Sequence, residues 1–320
     1  MNITPNYVDG LNIEANFDQL KVKFDADREV LWTFLNQQSR VPNANSDLMN
    51  DLFQHHEDIK QSNGYVLVNN ESRKFKYSVL ASKTEGYYSM GGDLTLMVDA
   101  AKSKDRARLV AYATHWVEVI AQRAFNFGIN DLVTISLVQG VNMGAGIEAM
   151  LTSDVVIAER KSTFMFPETH FNMFPGMGAY SFISRRASTT VADRMITSGK
   201  TYSAEDCYQL GLVDVLVEDG EGELAVYKYI ERQKNSFVGF LSMQKAKRFV
   251  NPLTREELFS IVNVWVENAL NLTERDFKMM ERFIGSQRKL FNSASVTPIT
   301  KPETNAHVEY VGDNVFKIAG

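Results

Sequence analysis
Apolar and polar positions alternate between two periods along the first two-thirds of the chain. LKVKFDADREVLWTFL (20–35) has strand-like runs on either side of Asp25–Asp27, which predicts two strands around a turn. SDLMNDLFQHHEDIKQS (46–62) has apolar residues at 48, 49, 52, 53 and 59, a helical spacing, with Ser46 as the candidate N-cap. KFKYSVLAS (74–82) reads as a strand, and 94–127 as helix with a break near Ser103–Asp105. DLVTISLVQG (131–140) is rich in β-branched residues and ends in glycine; a short helix is predicted from about Ala145. DVVIAE (154–159) and STFMF (162–166) read as strands, SAEDCYQLG (203–211) as a helix closed by glycine, and LVDVLV (212–217) as a strand. Beyond residue 222 the period is almost wholly helical, and from Asn292 the chain turns polar, with Pro298 and Pro302. The pattern implies an α/β core over 1–222, a helical cap over 223–291 and a polar tail over 292–320.

Composition narrows the class. Of 320 residues, 44% are hydrophobic and 23% charged, the balance of a folded globular chain. A net charge of −5 argues against a general nucleic-acid binder. One cysteine, Cys207, excludes an internal disulfide and a cysteine-built metal centre, and is expected in the core. The longest uncharged stretch, Leu132–Ile147, has 16 residues including Gln139, Asn142 and three glycines, too short and polar for a membrane span. The N-terminus lacks a basic start followed by an apolar run, so a cytoplasmic protein without membrane insertion is expected.

The candidate chemistry starts from FPETHFNMFPGMGAYSF (166–182), where Glu168 stands among Phe166, Pro167, Phe171, Met173, Phe174 and Pro175. An ionised carboxylate prefers water, so such a setting implies either an outward-facing Glu or one held to exchange protons. Two glycine-rich turns, YYSMGGDL (87–94) and VQGVNMGAGIE (138–148), each join a strand to a helix start. Such turns leave backbone N–H groups exposed, and a pair can serve one carbonyl oxygen as an oxyanion hole.

Taken together, SMGGDL, GVNMGAGIEAMLTSDVVIAE and FPETHFNMFPGMGAYSF resemble the crotonase (enoyl-CoA hydratase/isomerase) superfamily over roughly residues 20–220. The resemblance implies a spiral of ββα units with a helical C-terminal region. It also implies catalytic acids Glu148 and Glu168, 20 positions apart, and oxyanion donors at Gly92 and Ala145. Within the superfamily, GGDL, DRARL, LVQG, FPGMGAYSF, YSAE, GLVD, WVENA and MMERF are similar to the diffusible-signal-factor synthases, to about residue 290. That family implies a bifunctional enzyme without cofactor or metal. It dehydrates a 3-hydroxyacyl group on acyl carrier protein to a cis-2-enoyl thioester, then hydrolyses it to a free fatty acid signal used in quorum sensing. The same resemblance implies substrate contacts at Gly91, Gly144, Met177, Trp265 and Phe283, association with a membrane sensor kinase, and a homotrimer or dimer of trimers. Ala145 stands where many crotonases have glycine, which keeps the backbone donor, and Phe283 stands where leucine is usual.

Two other readings compete: a trans-enoyl-CoA hydratase acting on CoA thioesters, and a catalytically silent protein that sequesters a partner. SMQK (Ser242–Lys245) matches the S-x-x-K of penicillin-binding enzymes, but the accompanying motifs are missing. His55 and His56 are expected to be solvated on a polar helix, and His170, two residues past Glu168, is a candidate orienting group. Arg185–Arg186 and Lys245–Arg248 read as solvated basic faces that could also meet an acidic carrier or a CoA phosphate. No His, Asp and Glu cluster has metal-ligand spacing, and no nucleotide-binding glycine motif occurs.

Overall fold
The computed structural model describes residues 10–12, 17–69 and 71–294, with the backbone of 308–311 and 315–318. The strands are β1 (Leu20–Asp25), β2 (Val30–Leu35), β3 (Tyr65–Val68), β4 (Glu71–Lys74), β5 (Tyr77–Ser82), β6 (Tyr87–Ser89) and β7 (Val133–Val138). They continue as β8 (Val141–Met143), β9 (Val155–Glu159), β10 (Thr163–Met165), β11 (Thr201–Ser203), β12 (Val215–Val217), β13 (Val308–Val311) and β14 (Val315–Ile318). The helices up to residue 209 are α1 (Ser46–Ser62), α2 (Leu94–Lys102), α3 (Arg106–Ala124), α4 (Ala145–Leu151), α5 (Ala179–Arg186), α6 (Thr189–Ser198) and α7 (Ala204–Gln209). The last four are α8 (Gly222–Gln233), α9 (Phe237–Val250), α10 (Arg255–Leu270) and α11 (Glu274–Ala294).

Two sheets organise the chain. The larger runs β1-β2-β5-β7-β9-β12, parallel from β2 onward, with β1 antiparallel at its edge. β2, β7 and β9 are buried along their whole length, as expected when both faces of a parallel sheet are covered. Val30, Trp32, Phe34, Val79, Ile135 and Ile157 face one cluster, closed by Ala225, Val226 and Ile230 of α8. The opposite face joins the main core, where Leu35, Leu80, Val138 and Val156 meet the other helices. The smaller sheet runs β11-β10-β8-β6. Because β8 follows β7 almost at once, the chain steps from the large sheet to the small one just before the second glycine turn.

The sequence expectations largely hold. The turn after Asp25, the helix over 46–62 and the break between α2 and α3 stand where predicted. The N-cap of α1 is Asn45, whose side chain accepts from Leu48 N–H at 2.9 Å, rather than Ser46. The β3–β4 hairpin falls in a stretch with no predicted element. Inside the segment read as a polar tail, the backbone of β13 and β14 pairs as an antiparallel hairpin. Cys207 is buried, as expected.

His55 and His56 contradict the sequence reading, because both are buried. α1 packs on α3, and its buried stripe extends round to the two imidazoles. His55 Nε2 pairs with Thr33 Oγ1 at 2.8 Å, and His56 Nδ1 with the Val119 carbonyl at 3.1 Å. Burial, with the Arg123 charge, lowers His55 to about 3; burial likewise lowers His56, joined by His55 and Arg123. Both are therefore neutral in the fold. A group whose folded-state pKa lies below its unfolded value of about 6.5 withdraws stability as pH falls below that value. Urea unfolding should show stability falling between pH 7 and pH 5, and His55→Leu should flatten the decline. An unchanged slope in that variant would remove the imidazole from the account.

Candidate active site
The three stretches singled out by sequence converge. The Gly91 and Gly144 turns lie side by side: a Cβ placed on Gly144 would be 3.7 Å from Gly91 Cα. The same Cβ would overlap Glu168 Oε1, and Gly144 has φ +46°, so both the space and the backbone favour glycine. Glu168 sits in a short 3-10 helix (Pro167–Phe171) that follows β10 directly. Glu148 lies on α4, one turn after Ala145. Among the described residues, the N–H groups of Gly92 and Ala145 meet no acceptor. Ala145 is the first residue of α4, where helix geometry leaves N–H groups unpaired.

Both acids are buried, Glu148 at 2% and Glu168 at 9% exposure. Their environments differ. Glu148 Oε1 accepts backbone N–H bonds from Met177 at 2.8 Å and Ala179 at 3.0 Å. Burial pushes Glu148 up to about 7, and those two donors work against the rise. Glu168 Oε2 is buried without a partner. Burial, and after it the Glu148 charge, pushes Glu168 up to about 8. Two buried carboxyls whose charges interact in this way resist ionising together.

The turn that supplies the Glu148 donors is held from outside. Trp265 of α10 packs so tightly on Gly176 that a methyl there would overlap the indole ring. On the same helix, Glu257 accepts from Arg185 at 2.6 Å and from Ser181 Oγ at 2.5 Å, tying α10 to α5. α10 thus packs on Gly176 and anchors α5, the helix that Ala179 begins.

The remaining predicted residues fall in different places. Met177 serves Glu148 through its backbone, and its side chain is buried. Phe283 stands 6.2 Å from the Phe171 ring and lines an apolar cavity of about 120 Å³ with Met90, Met143 and Met165. Met90 and Met143 immediately precede Gly91 and Gly144, so this cavity adjoins the paired turns. Met177 and Trp265 are not among its lining residues. His170 Nε2 pairs with the Gly199 carbonyl at 3.0 Å. Ser242 of the S-x-x-K match bonds the Val238 carbonyl at 2.9 Å on α9. The basic runs are not simply solvated: Arg185, Arg186 and Arg248 pair with Glu257, Asp214 and Asp154. Sequence reasoning missed Ala179, whose role lies in its backbone and leaves no side-chain signal. Among the described residues there is no cluster of His, Cys, Asp and Glu that could hold a metal, and no helix long and apolar enough to cross a membrane.

A model of the enoyl-CoA hydratase/isomerase family matches residues 36–251, and the chain belongs to that family. The enoyl-CoA hydratase of Bacillus halodurans superposes with a TM-score of 0.66 at 19% identity, over 84% of this chain and 100% of that one. DspI of Pseudomonas aeruginosa does so with a TM-score of 0.58 at 21% identity, over 88% of this chain and 99% of DspI. At these identities the likeness is one of fold: the crotonase fold with a helical C-terminal region. The fatty acid oxidation complex subunit alpha of Pseudomonas putida is 29% identical over 171 residues, 53% of this chain and 22% of that subunit. The chain therefore spans only about a fifth of that relative's length.

Two outcomes check this geometry. For an acid whose folded pKa lies above its unfolded value near 4.5, stability is fully present below that value and declines as pH rises through the folded pKa, by about 1.4 kcal/mol per unit of elevation. Glu168→Gln should therefore raise the thermal midpoint more at pH 9 than at pH 5; an equal change at both would mean the carboxyl is solvated. Gly176→Ala should push the 176–179 turn off Trp265, destabilise the fold by about 1–3 kcal/mol and lower turnover, read by thermal melting and initial rates. Wild-type values for both would show that Trp265 does not hold the turn.

Proposed function
We propose that this protein is a bifunctional dehydratase and thioesterase. On this reading it converts a 3-hydroxyacyl thioester on acyl carrier protein to a free cis-2-enoic acid that serves as a signal. The observation that carries the reading is the pair of buried, coupled carboxyls beside two glycine turns. The motifs shared with the signal synthases, FPGMGAYSF above all, support the finer assignment.

Glu148, with two backbone donors, ionises before Glu168 and is the base. It takes the C2 proton while the N–H groups of Gly92 and Ala145 stabilise the enolate oxygen. Glu168 is protonated and gives its proton to the C3 hydroxyl, which leaves as water as the C2–C3 double bond forms. Glu148 is then neutral and Glu168 ionised. In the second half-reaction Glu168 takes a proton from water as its oxygen adds to the carbonyl carbon. The C–S bond breaks, and Glu148 returns its proton to the thiolate. The site regains its starting protonation, so neither half needs a serine nucleophile. The tail occupies apolar space that includes the Phe283 cavity, with Gly91 and Gly144 admitting the thioester; Met177 and Trp265 act by shaping the turn. Assembly as a trimer or paired trimers, and capture by a sensor kinase, belong to the same reading.

The family and the fatty acid oxidation relative favour a second reading, hydration of enoyl-CoA thioesters by the same acids. Supplying 3-hydroxydecanoyl carrier protein separates the two. A released cis-2-enoic acid, identified by mass spectrometry and NMR, supports the synthase, while a trans thioester left on its carrier supports the hydratase. Glu148→Gln and Glu168→Gln should each lower kcat by about 10²–10⁴, and unchanged turnover would leave only a silent binding protein. Because one acid must be ionised and the other protonated, the dehydration rate should rise as Glu148 ionises near pH 7 and fall as Glu168 loses its proton near pH 8. A rate flat from pH 5 to pH 10 would rule the pair out.

A further inference from the structure
The two basic runs lie 60 residues apart in the chain and meet in the fold. Arg185 and Arg186 end α5, Lys247 and Arg248 end α9, and all four border one cavity of about 310 Å³. Small-molecule sites start at about that volume. Its walls are largely apolar, with Phe125, Leu151, Phe182 and Leu253 among them. The charges do not balance. Arg185 pairs with Glu257 at 2.6 Å, Arg248 with Asp154 at 2.9 Å, and Arg186 with Asp214. Lys247, among the described residues, forms no ion pair of its own; burial and the Arg186 charge disfavour its positive charge, while Asp214 and Asp154, already paired with Arg186 and Arg248, favour it from further off. Arg186 is 8% exposed, and its Nε is buried without a hydrogen-bond partner.

We propose that this cavity is a second binding site, separate from the paired glutamates, for an amphipathic monoanion of the medium-chain fatty carboxylate class. The carboxylate sits at Lys247 Nζ on the cavity rim, and the hydrocarbon lies against Phe125, Leu151, Phe182 and Leu253. One uncompensated positive charge calls for one negative charge. A phosphate group would bring a larger charge and leave the apolar wall uncovered. The site is distinct from the catalytic pair because α5 carries one at each end. Ala179, at its start, holds Glu148, and Arg185–Arg186 lie roughly 10 Å along the helix at 1.5 Å per residue.

Isothermal titration of decanoate, below its micelle-forming concentration, into the full chain tests the assignment. Saturable binding is expected, weakened at least about tenfold by Lys247→Gln and retained by Lys247→Arg. Lys247 is exposed on α9, so neither change threatens the fold. Decanol should bind at least about tenfold more weakly than decanoate, and Phe283→Asp, in the Met90–Met143 cavity, should leave decanoate binding intact. Absence of binding up to about 1 mM overturns the proposal, as does equal affinity in Lys247→Gln. Loss of binding in Phe283→Asp alone places the acid in the catalytic region and also overturns it. Competition by inorganic phosphate as strong as by decanoic acid itself would refute the amphipathic class.

Discussion
Two carboxyl groups are buried within reach of each other's charge, and the charge of one disfavours that of the other. The rest of the site follows from that constraint. An isolated buried carboxylate is unfavourable, and a second beside it is worse. The fold meets the first cost with two backbone donors on Glu148 Oε1 and gives Glu168 Oε2 none. This asymmetry, rather than any difference in residue type, makes Glu148 the easier of the two to ionise.

Holding the asymmetry requires a rigid turn at 176–179, and the helical C-terminal region supplies the rigidity. Trp265 closes on Gly176, and Glu257 binds Ser181 and Arg185 on the next element. A helix distant in sequence thereby sets the environment of an acid on α4. The sheets contribute differently. The short step from β7 to β8 brings the Gly144 turn against the Gly91 turn, and β10 ends directly at Glu168. The Gly91 turn, the Gly144 turn and Glu168 each lie just past a strand end, where the chain leaves regular pairing and backbone groups become available, while Glu148 lies one turn into α4.

Much of this was legible along the chain, for identifiable reasons. The strand and helix periods gave β1, β2, α1 and the α2–α3 break, because one-sided burial imposes a spacing on local sequence. The glycine turns and the two acids could be picked out because each needs a residue type rarely placed there for packing alone. His55 and His56 misled, since their neighbours Gln54, Glu57 and Asp58 are polar while α3 covers the imidazole side. The β3–β4 hairpin escaped because its second strand, ESRK, is mostly exposed and carries no apolar alternation. The basic runs looked solvated because their acidic partners, Asp154, Asp214 and Glu257, are distant in sequence.

The sequence by itself determined most element types and the family, and singled out the two glutamates, because those depend on residue chemistry and local spacing. Only the tertiary structure decided how the acids differ, where Trp265 acts and which cations face a common cavity. Those properties arise from backbone donors and long-range neighbours, and a backbone N–H has no letter of its own in the sequence.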